Sequence, residues 1–200
     1  MATDPNAEEL NARAAILITR ELPGTAAIKA PITIWWLGSR FHVHDESGIP
    51  VDDLLALASS PRGFGREPRT KEDFMDTRIR LSATTDVYGD RTAPRGTVIR
   101  RGEKLDADLE LLLPLAELIL SGDVARLKPT GHAQVLEREA TEYTTYLPSD
   151  KDTGSTVRQL VSGPYTLLRE VTNEHRRGAL LRVETLSLDE GAVSRTDVLV

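Results

Sequence analysis

Cysteine is missing from this sequence altogether. That removes thiol nucleophiles, disulfide staples and thiolate metal sites together. Long apolar runs are missing too. The nearest, Leu109 to Leu120, is interrupted by Glu110, Pro114 and Glu117, so no spanning helix is expected. The acidic start, Met-Ala-Thr-Asp-Pro-Asn-Ala-Glu-Glu, lacks the apolar centre of a signal peptide. As written the chain reads as cytoplasmic; an exported protein whose leader had been removed would look the same. Excess positive charge is also absent. A net charge of −6 argues against a general nucleic-acid binder, which needs a cationic face. Finally, there is no Gly-x-Ser-x-Gly, no zinc-protease helix and no nucleotide fingerprint. Nothing in the sequence therefore announces an enzyme or calls for a cofactor.

What is present is the composition of a globular chain: 40% apolar and 28% charged residues over 200 positions, enough for one domain, 1–200, with a sizeable core. Asp4-Pro5 followed by Glu8-Glu9 resembles a capped helix start, and Leu10, Ala14, Leu17 and Ile18 recur at helical spacing. A helix is predicted from Pro5 to Leu22. The pattern then alternates. Ile32, Ile34 and Trp36 share one strand face, and Gly38-Ser39 turns the chain into a return strand carrying Phe41 and Val43. A short helix is expected over Val51 to Ala58. Residues 59–71, rich in Ser, Pro, Gly and Arg, read as a mobile loop. Strands are predicted at Arg78 to Val87 and Thr97 to Arg101, and a helix reset by Pro114 from Asp106 to Ser121. The remainder reads as an antiparallel meander, with strands at Ala133 to Leu147, Ser155 to Ser162, Tyr165 to Asn173, Gly178 to Leu188 and Ala192 to Leu199.

Three groups of residues are candidates for function. His42 and His44 share a strand face at i and i+2, so both could approach one metal ion. A third ligand would have to come from elsewhere, with His132 or Glu46 as candidates. Since Phe41 and Val43 take the core face, the histidines are expected in solvent and no metal site is assigned. Trp35 falls on the histidine face, opposite Trp36, as a covered second-layer residue or part of a binding surface. The loop Pro61 to Arg69 gathers Arg62, Phe64, Arg66 and Arg69. It reads as a solvated connector, or as an arm for an acidic protein partner.

The last third, with Val135-Leu136-Glu137-Arg138-Glu139-Ala140 leading into Tyr143 to Leu147, then Val161-Ser162-Gly163-Pro164-Tyr165 and the strands Leu181 to Leu188 and Val193 to Val198, resembles the outer-membrane lipoprotein carriers and their actinobacterial relatives. The resemblance implies an α+β fold: an open, strongly curved antiparallel half-barrel with helices on its concave face. It also implies an apolar cavity for acyl chains or a partner peptide. The expected function is then a non-catalytic binding protein for a lipid-like ligand or partner segment, with Trp35, Leu112, Leu115, Ile119 and Tyr143 as pocket walls. The alternative is a protein-interaction module docking through the arginine-rich loop or a sheet edge.

Overall fold

In the computed structural model, described for residues 10–21, 27–47, 84–122, 124, 127–147, 154–173 and 179–200, the dominant feature is one open antiparallel sheet. Its strands are β1 (Asn11–Glu21), β2 (Ile28–Leu37), β3 (Arg40–Asp45), β4 (Thr85–Asp90), β5 (Arg95–Arg100), β6 (Glu103–Asp108), β7 (Pro129–Val135), β8 (Arg138–Leu147), β9 (Ser155–Ser162), β10 (Tyr165–Asn173) and β11 (Ala179–Glu190). Their spatial order is β6-β5-β4-β3-β2-β1-β11-β10-β9-β8-β7. Within β1 to β6 and within β7 to β11 each strand neighbours its sequence successor; β6 and β7 form the two edges, and β1 joins β11 to unite the two meanders in one sheet. The helical layer expected on this sheet is slight. Among the described residues there is a single α-helix, α1 (Leu109–Ala116), continued by a 3-10 turn at Glu117–Ile119.

The segment predicted as the first helix is strand from Asn11 onward. Its spacing satisfies both periods: Leu10, Ala14, Leu17 and Ile18 suit a helix, whereas Ala12, Ala14, Ile16 and Ile18 alternate as a strand. Pairing decides. β1 lies between β2 and β11, and all four alternating residues are buried. The predicted strand Ala133 to Leu147 is really two strands, β7 and β8, joined by Leu136-Glu137. Both of those residues have positive φ, 52° and 60°, the geometry of a two-residue type I′ hairpin turn. Neither is a residue type that favours this turn, which is why the pattern hid it. The predicted helix from Asp106 begins instead at Leu109, because residues 103–108 pair with β5 as an edge strand. Pro114 sits inside α1 rather than restarting it. The carbonyl it leaves without a donor belongs to Glu110, at an exposed position that water can reach. The predicted C-terminal strand is a 3-10 turn, Arg195–Val198, after a turn at Gly191.

Strands β4 and β5 overlap the predicted ones but are shifted, at Thr85–Asp90 and Arg95–Arg100. β9 and β10 match the prediction end to end. The expected helix at Val51 to Ala58 and the loop 59–71 lie outside the described residues.

The sheet has two chemically distinct faces. Ala12, Ala14, Ile16, Ile18, Ile32, Ile34, Trp36, Phe41, Val43 and Val87 form the apolar one, all nearly inaccessible. α1 packs on it, burying Leu109, Leu112, Leu115 and Ala116. Two contacts seat the helix. The Trp36 indole N–H donates to the carbonyl of Ala116 at 2.8 Å, satisfying one of the carbonyls that every helix end leaves open. Gly96 provides room: a β-carbon there would lie 2.7 Å from the Leu112 side chain and 2.6 Å from the Tyr88 carbonyl. On the opposite face, four charged strands form a ladder. Arg158 pairs with Glu142 at 2.9 Å and Glu170 at 3.0 Å, and Arg182 with Glu170 at 3.4 Å and Glu184 at 3.1 Å. Bulges at Ala15/Ile16, Thr166/Leu168 and Pro129/Gly131 bend and twist the strands that carry them.

Two substitutions test these contacts by stability. Trp36→Phe keeps the aromatic bulk but strands the Ala116 carbonyl, and should cost about 1–3 kcal/mol in urea unfolding. Replacing Leu136-Glu137 by Asn-Gly relieves two left-handed non-glycine residues, each strained by about 1–2 kcal/mol. A net gain of about 1 kcal/mol in the same assay is expected.

Candidate functional site

On the outer face, opposite α1, strand alternation and register assemble an aromatic row. Arg13 is paired with Trp35, Trp35 with His42, and His42 with Tyr88. The His42 ring is stacked between the other two, 4.6 Å from Trp35 at 11° and 4.2 Å from Tyr88 at 7°. The Arg13 guanidinium lies over Trp35 at 5.6 Å. Next to this row, His44 is paired with Asp86. One Asp86 oxygen, Oδ1, lies 2.8 Å from His42 Nε2 and 2.7 Å from His44 Nδ1. His44 Nε2 is 3.4 Å from a Glu46 carboxylate oxygen, and His42 Nδ1 is 3.0 Å from the backbone carbonyl of Asp197. That carbonyl belongs to the C-terminal 3-10 turn, which a reciprocal Ser194–Asp197 capping box holds in shape.

The electrostatics follow from these contacts. Burial by itself would lower the His44 pKa, but hydrogen bonding and charge from Asp86, with Glu46 behind it, outweigh burial and raise it. Burial would raise the Asp86 pKa, but its bonds to His44 and His42 lower it. The histidines are therefore not the solvated pair expected from the sequence. Their side chains are 13% and 27% exposed, and Asp86 is the group that joins them. Glu46 reaches His44 from the side away from Asp86, and His132 stands on the edge strand β7, paired with Thr141. Sequence spacing offers no route to Asp86, since a long connection separates it from His44.

A second polar feature lies on the apolar face. Tyr143, Gln159, Arg169 and Val183 form one row across β8, β9, β10 and β11, and Val183 is paired through β1 to Ile18 and Ala30 of the core. Burial lowers the pKa of Arg169. Its Nε and the neighbouring Gln159 Oε1 are both buried without a hydrogen-bond partner among the described residues.

Of the expected pocket walls, Leu112, Leu115 and Ile119 are buried together along α1 and its continuation, and Tyr143 lies on the same face of the sheet. Trp35 points to the other face. Arg62, Phe64, Arg66 and Arg69 lie outside the described residues. A separate open groove of about 630 Å³ at the β2–β3 turn is lined by Leu10, Leu37 and Val198 together with Arg40 and Arg195. The edge strand β6 is exposed almost throughout and carries Glu103, Lys104, Asp106 and Asp108, charges that discourage edge-to-edge pairing.

No protein-family model and no curated protein matches this sequence. Among solved structures, the chain is similar to an uncharacterized conserved protein from Thermus thermophilus, with 8% identity and a TM-score of 0.50, over 96% of this chain and 86% of that one. That likeness concerns the fold. A LolA superfamily protein from Nitrosomonas europaea is also similar, with 10% identity, a TM-score of 0.44, and coverage of 98% and 94%. So is the Pseudomonas aeruginosa MucA/MucB complex structure, with 14% identity, a TM-score of 0.40 and 97% of this chain covered; the match spans 56% of that chain. Members of the lipoprotein-carrier superfamily thus stand among the structures this chain resembles. No helix among the described residues is long and apolar enough to cross a membrane.

The groove's Arg40 leads to a pH-dependent test through its partner Asp90. Partial burial would raise the Asp90 pKa, but bonds from Thr92, Ser39 and Arg40 outweigh it and bring it down from 3.8 to about 2. The stability this confers is complete above the unfolded value and is lost as pH falls toward the folded one. Asp90→Asn should therefore flatten the decline of the urea midpoint across that acidic window, and leave its slope at higher pH unchanged.

Proposed function

We propose that this chain is a non-catalytic binding protein, a single domain whose curved antiparallel sheet receives an amphipathic, lipid-like ligand with an acidic head against its apolar face. The supporting observation is Arg169. It is paired with Gln159 and Val183 on the apolar side of the sheet, and its guanidinium is desolvated, with Nε buried and unpaired among the described residues, a cost that an anion would offset. Beside it, the open Gln159 oxygen is free to accept a hydrogen bond from a ligand hydroxyl or amide. The apolar residues around the pair, together with Leu115 and Ile119 of the helix segment, suit an acyl chain, and Tyr143 extends the row outward.

Oleate binding to wild-type protein and to Arg169→Met, measured calorimetrically, tests this reading together with urea unfolding of the ligand-free proteins. The variant should bind at least about tenfold more weakly, equivalent to ~1.4 kcal/mol. Without ligand it should be the more stable of the two, by on the order of 1 kcal/mol, because a buried unpaired charge has gone. Equal oleate affinity in the two proteins would remove the anion-binding role. A less stable ligand-free variant would make Arg169 a structural residue.

A further inference from the structure

We infer that His42, His44 and Asp86 form a binding site for a divalent transition-metal ion of the zinc class, on the outer face of the sheet and independent of the apolar face. The three ligand atoms, one from each residue, lie within 4.8 Å of one another.

The hydrogen bonds of the two rings carry the inference. A neutral imidazole has one N–H and one lone pair. His42 has an acceptor at both nitrogens: the Asp197 carbonyl at Nδ1 and the Asp86 carboxylate at Nε2. His44 also has one at both: Asp86 at Nδ1 and the Glu46 carboxylate at Nε2. If each ring donates outward, His42 to Asp197 and His44 to Glu46, two lone pairs are left aimed at one carboxylate. A cation resolves that meeting. The outward bonds then become the supporting contacts by which metal-bound histidines are fixed in tautomer and orientation.

Two of the three ligand separations can be compared directly with tetrahedral geometry, and the third is bounded at 4.8 Å. Three ligands about 2.0–2.1 Å from a tetrahedral ion lie roughly 3.3 Å apart. The present separations of 2.8 and 2.7 Å therefore need to open by about half an ångström, within reach of an Asp86 side chain that is 26% exposed. The rest of the site is held in advance. Trp35 and Tyr88 clamp the His42 ring on both sides, and the backbone pairing of β3 with β4 fixes His44 against Asp86. Two imidazoles and one carboxylate select zinc, nickel, copper or cobalt over calcium and magnesium, which prefer oxygen-only shells. A fourth coordination position is left for water or for a ligand atom from a partner. Because the Asp197 carbonyl orients His42, the ion also ties the C-terminal turn to β3.

The test uses tag-free, chelator-treated full-length protein and zinc chloride. Calorimetry should find one equivalent bound at micromolar dissociation constant or tighter, with a change in tryptophan fluorescence from Trp35 on its stacked partner. Cobalt(II) should give the visible absorption of a four-coordinate ion with nitrogen ligands. His44→Ala and Asp86→Asn should each weaken zinc by at least about 100-fold, whereas His132→Ala should leave affinity unchanged. Thermal unfolding of each variant without metal separates loss of ligand from loss of fold. If wild-type protein takes up no stoichiometric zinc or cobalt, or if folded His44→Ala and Asp86→Asn bind as wild type does, the inference is overturned.

Discussion

The pairing of β1 with β11 is the constraint on which the rest of the molecule depends. Every other neighbour relation in the sheet is between strands consecutive in sequence, so each half is a simple meander. The one long-range junction is made by backbone bonds along β1 and by Asn11. Its side chain accepts from the Val193 amide at 2.9 Å and donates to the Val193 carbonyl at 3.3 Å, and its own carbonyl receives the Gly191 amide at 2.7 Å. The same contacts turn the chain out of β11 and send its last residues across the outer face. There Asp197 reaches His42. The union of the two meanders and the capping of the histidine cluster are therefore consequences of one strand being shared.

Two adjacent residues show how the faces divide the work. Trp36 points inward, fully buried, and donates to the end of α1, while Arg91 lies over its ring at 4.7 Å and bonds Glu117 at 2.8 Å. This fixes where the helix continuation crosses the sheet. From there the chain reaches β10, where Leu120 bridges Tyr165 and its carbonyl accepts from the Thr166 hydroxyl. Trp35 points the other way and serves as one wall of the His42 stack. Strand alternation alone separates the two roles.

Much of this was legible in the sequence where one period dominated. The Trp-containing hairpin, the opposite facing of Trp35 and Trp36, and the limits of β9 and β10 follow from alternation and turn residues. Other parts were not legible, for identifiable reasons. β1 fits two periods, and only its two neighbours choose between them. Leu136-Glu137 adopts a turn whose backbone those residues disfavour, so the strain is carried by the hairpin it joins. The C-terminal 3-10 turn did leave a trace, Ser194 and Asp197 at capping-box spacing, which the β-branched residues Val193, Thr196 and Val198 masked. Asp86 left none: its place beside His44 is a fact of register between strands far apart in the chain.

In a sheet of this kind, a strand supplies ligands at i and i+2 on one face, which gives at most a pair within reach of one centre. A third must come from the facing strand, and pairing fixes which residue that is. Had β3 and β4 slipped by one position, His44 would face Val87, and Asp86 would turn into the core. The burial of Val43 and Val87 opposite each other on the apolar face opposes that slip, because it would turn Val87 outward and put the Asp86 carboxylate in the core. The hydrophobic core thus sets the geometry of the polar cluster on the other side of the same two strands. The converse holds at Arg169. There the register places a cation on the apolar side, where no neighbouring strand among the described residues offers it a carboxylate. On the outer face, by contrast, each arginine of the ladder has one. On the proposed reading, the unpaired Nε of Arg169 and the apolar surface of the same face are the two features that an anionic amphiphile would engage together.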